Sequence, residues 1–97
     1  MIGYRLLPPA EEEMTDAALF YEAAAPSLGH DFLDDLQHAI DTARARPELG
    51  VPVAHGFRRL LVRRFPYSLI YAVEARQIVV VAVAHQRRRP EFWKGRI

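Results

Sequence analysis

The 97 residues contain no cysteine, which excludes a disulfide framework and thiolate chemistry and fits a reducing cytoplasm. Long apolar runs are also missing. The longest, Ile78–Ala84, has seven residues, far short of the roughly 20 that span a membrane. Met1–Leu7 lacks the apolar stretch of about 7–15 residues that marks a secretory leader, so none is expected. There is no HExxH, no paired His/Cys spacing and no Gly-rich phosphate loop. His30 and His38 lie eight residues apart on a predicted helix, too far to share a metal. Neither metal nor cofactor is therefore expected. No repeat and no low-complexity segment interrupts the chain, which reads as one domain over residues 1–97.

What is present is a 51% hydrophobic, 26% charged sequence, too apolar for disorder. A chain of this size buries roughly 60–65% of its unfolded surface, enough for one core. Its net charge of +1 conceals two opposed halves. Residues 1–47 set nine Asp/Glu against three Arg, a net of −6. Residues 48–97 set ten Lys/Arg against three acids, a net of +7. An acidic helical half and a basic half that meets a polyanion or an acidic partner follow from that division.

Ile2–Leu7 predicts a strand, stopped by Pro8-Pro9, which can open a helix whose first amides lack partners anyway. Glu11–Glu13 then sit where the helix dipole favours negative charge. Met14, Ala17, Ala18, Tyr21, Ala24 and Ala25 form its apolar stripe. Pro26–Gly29 breaks the helix, and Ser27 is the expected N-cap of a second. There the stripe is Phe32, Leu33, Leu36, Ala39, Ile40 and Ala43, ended by Pro47. The two make a helical hairpin. Pro47–Gly56 reads as a loop. The period then becomes strand-like over Phe57–Arg64, Tyr67–Glu74 and Gln77–Ala84. Ile78–Ala84 is apolar at both parities, so it predicts the most buried strand. The order gives an α+β fold: an N-terminal strand, a helical hairpin, a three-stranded antiparallel sheet and a C-terminal basic tail.

Arginines flank that sheet at positions 58, 59, 63, 64, 87, 88, 89 and 96, with Lys94 among them. Their forks match phosphates and carboxylates. Interleaved aromatics could stack on bases, but Phe57, Phe65 and Tyr71 read as core and Trp93 as an anchor for the tail. The candidate target-binding cations are Arg63, Arg64, Arg87, Arg88, Arg89, Lys94 and Arg96. His85, at the end of the buried strand, is either a general base or a residue that bonds neighbouring backbone. Glu11–Glu13, Asp31, Asp34 and Asp35 read as solvated helix faces.

The ordered set Gly29, Phe32, Leu36, then Phe57-Arg58-Arg59, Phe65-Pro66-Tyr67, Leu69-Ile70-Tyr71, Ala82-Val83-Ala84-His85, Arg88, Pro90 and Trp93 resembles the RelE/ParE superfamily of type II toxins. The usual Ser before Pro9 is replaced by Pro8. The resemblance implies a small cytoplasmic growth inhibitor bound, as an oligomer, by a cognate antitoxin that wraps it with a helix and an extended segment. The RelE branch cuts mRNA on the ribosome with basic side chains. Here Ser68, Leu61 and Trp93 stand at three of those positions. Only Arg59 and Arg87, with His85 as the remaining base, are left as catalytic candidates. The ParE branch poisons DNA gyrase by binding, and Phe65-Pro66-Tyr67 with His85-x-x-Arg88 looks more like it. A ParE-like plasmid-stabilisation toxin is thus expected. A ribosome-dependent endoribonuclease and a non-toxic antitoxin-binding domain are the alternatives.

Overall fold

Pro8 and Pro9 occupy the first turn of helix α1 (Pro8–Ala24), where missing N–H groups cost nothing. The computed structural model describes residues 1–97. Ahead of α1 lies strand β1 (Gly3–Leu6), and behind it helix α2 (Leu28–Ala45). Strands β2 (Val51–Pro52), β3 (Arg58–Leu61), β4 (Tyr67–Val73) and β5 (Gln77–His85) complete the chain's regular structure. The five strands form one sheet in the order β1-β5-β4-β3-β2. This is the α+β arrangement expected, a helical hairpin on a mainly antiparallel sheet. No helix is long and apolar enough to cross a membrane.

Four details differ from the expectation. Strand β1 pairs with β5 in parallel, Tyr4 opposite Ile78, so the sheet is mixed. A two-residue strand, β2, appears inside the predicted loop and pairs with Arg58 and Arg59. Strand β3 stops at Leu61 because Val62–Phe65 folds back as a turn. In it the Val62 N–H donates to the Tyr67 carbonyl (2.9 Å), and Arg64 is left-handed, φ 65°. Finally, Ser27 stands at the N-cap of α2, yet its hydroxyl caps nothing and its φ is 68°. Glu22 on α1 does the capping, its carboxylate accepting from the Ser27 and Gly29 amides at 3.0 Å each. The Ser27 amide, first among the causes, holds the Glu22 carboxyl below its usual range. Gly29 is required beside it: a Cβ there would lie 2.5 Å from the Ala18 carbonyl oxygen, where the two helices touch.

The sheet separates two apolar layers. Toward the helices lie Phe32, Leu36 and Ile40 against Leu69, Tyr71, Ile78, Val80 and Val83. Tyr21, Phe32, Phe65 and Tyr67 form a cluster of edge-on and tilted rings there, with centroids 4.8–6.2 Å apart. On the opposite face, Phe57, Ile70, Val79, Val81, Ala82 and Ala84 pack under Trp93 of the tail. Strand β5 serves both layers through a bulge. Tyr71 pairs with Val80 and Ile70 with Ala82, leaving Val81 unopposed. Alternation therefore breaks, and Val81 and Ala82 face the same layer.

Two acids, buried Asp35 and partly buried Glu13, overturn their reading as solvated. Asp35 is 2% exposed. It accepts from Arg64 Nε at 2.7 Å and Arg63 Nη2 at 3.4 Å. The Arg64 hydrogen bond, then both positive charges, holds the Asp35 carboxyl below the usual range. Folding therefore lowers the proton affinity of Asp35 and Glu22. The stability they add is present above the unfolded carboxylate pKa and drains away as pH falls through their folded values. A thermal midpoint that holds from neutrality to about pH 5 and drops below about pH 4 is expected. Asp35→Asn should flatten that drop, and an identical acid profile in the variant would contradict the assignment.

Candidate target-binding site

Beyond the bulge, β5 outruns β1, whose pairing ends where the Leu7 amide donates to the Val80 carbonyl (3.0 Å). An exposed strand edge would follow. Instead Glu13 of α1 and Arg96 of the tail fill it. Arg96 Nη1 donates to the Val81 carbonyl at 2.9 Å, and the Val83 amide donates to Glu13 Oε1 at 3.1 Å. The guanidinium also grips both Glu13 oxygens, at 3.0 and 2.9 Å. This ion pair stands in for the missing strand and ties the tail across the sheet. Glu13 was the second acid read as solvated.

The tail then turns back over the second apolar layer. Pro66 receives the Gln86 amide at 2.8 Å, and the His85 carbonyl receives the Arg88 amide at 2.9 Å. Trp93, 6% exposed, packs on Phe57 with ring centroids 5.5 Å apart, as the anchor reading expects. His55, in a left-handed turn, reaches Glu91 of the tail at 3.2 Å. The Arg88 guanidinium lies 3.9 Å from the Phe92 ring centroid.

Between tail and sheet this leaves a cleft of about 400 Å3 lined by Arg59, Ser68, His85, Arg88, Arg89 and Trp93 among others. Two of the expected cations, Arg88 and Arg89, thus converge with Arg59 brought in from β3. Arg87 is exposed outside it, as is Lys94. Arg63, Arg64 and Arg96, expected to meet a target, are held by Asp35 and Glu13. His55 and Glu91 were not singled out from sequence.

His85 ends β5 with its ring edge-on to Tyr67, centroids 5.1 Å apart. The Arg87 amide donates to its Nδ1 at 3.0 Å. In the neutral ring that contact leaves the proton on Nε2, so the free nitrogen is a donor, not a base. Burial pushes the neighbouring Tyr67 phenol up, keeping it protonated. The cleft thus offers cations and donors, and its one carboxylate, Glu91, is paired with His55.

A model of the ParE toxin of the type II toxin–antitoxin system parDE matches residues 4–90. The chain belongs to the ParE toxin family. A solved structure, the chromosomal ParDE TA system from P. aeruginosa, shares the fold with a TM-score of 0.75 at 16% identity. The match covers 88% of this chain and 96% of that one. No curated protein matches the sequence. Within this ParE-family fold, the cleft and the tail that walls it lie on the sheet face opposite the helices.

Proposed function

We propose that this ParE-family chain arrests growth in the cytoplasm by binding DNA gyrase through the basic tail side of its sheet. A cognate antitoxin neutralises it, by extension from the family's two-component organisation and from the ParDE system of P. aeruginosa. The supporting observation is the commitment of His85 Nδ1 to the Arg87 amide. Scission of RNA needs a base for the 2′-hydroxyl and an acid for the leaving oxygen as well as charge stabilisation. Arg59, Arg88 and Arg89 meet only the last of these. A binding role uses all three and needs no proton transfer.

Induced expression of the chain alone should stop growth, with filamentation and gyrase-dependent DNA breaks, and co-expression of the antitoxin from the neighbouring reading frame should restore it. Mapping RNA ends on ribosomes is the opposing control. Codon-positioned cuts that vanish in His85→Ala would make this a histidine-dependent ribonuclease. Normal growth at high soluble expression would mean that no toxin activity is left.

A further inference from the structure

We infer that the cleft between tail and sheet recognises the carboxylates of an acidic stretch of polypeptide. The inference rests on the binding reading of this site and specifies the chemistry of what it holds. The first observation is which arginines are unengaged. Arg44, Arg58, Arg63, Arg64 and Arg96 all donate to carbonyls or carboxylates of the protein itself. The other arginines, Arg5, Arg46, Arg59, Arg76, Arg87, Arg88 and Arg89, have no such partner, and three of them, Arg59, Arg88 and Arg89, line one concavity. Its one acid, Glu91, is turned onto His55. The cleft is therefore a positive hollow whose forks are free.

The second observation concerns a hydroxyl donor between those forks. Ser68 is 6% exposed, and its hydroxyl is not an unpartnered buried group, so it opens to the cleft. Free guanidinium forks with a hydroxyl between them suit planar carboxylates approached edge-on.

The third observation separates polypeptide from nucleic acid. Single strands are gripped by stacking bases on open aromatic faces. The cleft's two aromatics are already used. Trp93 is buried against Phe57, and Phe92 carries the Arg88 guanidinium at 3.9 Å with Arg96 5.1 Å from the same ring. No ring is left to stack on. The acidic helices of the other layer add repulsion to a long polyanion, whereas a short acidic segment in the cleft avoids it.

Trp93 is the chain's single tryptophan and lines the cleft, so its fluorescence reports occupancy. The purified protein is titrated with a short oligoglutamate and, separately, with a single-stranded oligothymidylate of equal charge. The peptide should give a saturable change. Arg59→Ala with Arg88→Ala should weaken it about tenfold or more, as loss of charge-assisted forks does. The Arg→Lys pair keeps the charge and should still weaken it several-fold. If losing Arg88 from the Phe92 ring loosens the tail, seen as a lowered unfolding midpoint, Arg59→Lys alone carries the test. Tighter binding of the oligothymidylate would overturn the inference and make the cleft a nucleic-acid site. So would equal weakening by Arg76→Ala, an exposed cation outside the cleft. Neither gyrase nor ribosome enters the titration. A saturable peptide signal without gyrase inhibition would retire the gyrase reading alone, and gyrase inhibition without the signal would retire the carboxylate site alone.

Discussion

Trp93→Ala is expected to cost about 3 kcal/mol of stability. The indole is 6% exposed and lies over a layer built from Phe57, Ile70 and the outward residues of β5. Truncation removes the tail's largest apolar contact and leaves a void above Phe57. For a domain of this size, about 3 kcal/mol lowers the thermal midpoint by roughly 12 °C or more. Amides of residues 86–97 should lose hydrogen-exchange protection first, because the Arg96–Glu13 pair and the His55–Glu91 contact remain as the tail's polar ties. An unchanged midpoint with lost target action would make Trp93 a contact residue in place of an anchor.

A still larger loss, about 4 kcal/mol, is expected for Tyr71→Ala. Tyr71 is 0% exposed at the centre of β4. Its hydroxyl donates to the Pro47 carbonyl at 2.7 Å and accepts from the Gly50 amide at 3.1 Å, so one side chain joins core and loop. Gly50 is needed for the approach: a Cβ there would sit 2.5 Å from that oxygen. Burial pushes the phenol up, so it stays a donor across the physiological range. Tyr71→Phe isolates the hydroxyl. It keeps the ring and orphans a buried amide and carbonyl, at about 1–3 kcal/mol. Chemical denaturation of the pair measures both parts. A loss for Tyr71→Ala no larger than that for Tyr71→Phe would show that the loop latch, not the ring's packing, dominates.

The helices were legible because their punctuation is chemical. Prolines open α1 and separate it from α2, and the stripe of α2 is buried as its spacing requires. Strands β4 and β5 were legible from their runs of β-branched and aromatic residues. The bulge was not. Every residue from Ile78 to Ala84 is apolar, so a change of parity between Val81 and Ala82 leaves no mark in the pattern. Nor was the parallel pairing of β1, whose partner lies at the far end of the chain.

The two misread acids left a signal that the charge runs masked. Asp35 follows Phe32 by three residues and precedes Ala39 by four, which puts it on the buried stripe of α2. Glu13 stands likewise between Ala10 and Ala17 on α1. A carboxylate on an apolar stripe needs a cation, and each has found arginine from the basic half. Part of the opposed charge of the two halves is thus spent inside the fold. Arg63, Arg64 and Arg96 are consumed this way, while Arg59, Arg88 and Arg89 are left around the cleft. Sequence alone ranked Arg63, Arg64, Arg88, Arg89 and Arg96 together, since only tertiary contact tells a committed guanidinium from a free one.

A ParE-family protein that acts by holding gyrase through its tail-side cations should inhibit the enzyme directly in a purified system. In a supercoiling assay with the purified chain, loss of supercoiling should rise with dose and be relieved when Arg87, Arg88 and Arg89 are replaced together by alanine in a variant whose unfolding midpoint is unchanged. Full supercoiling with the wild-type chain in excess over gyrase would rule out that mode of action.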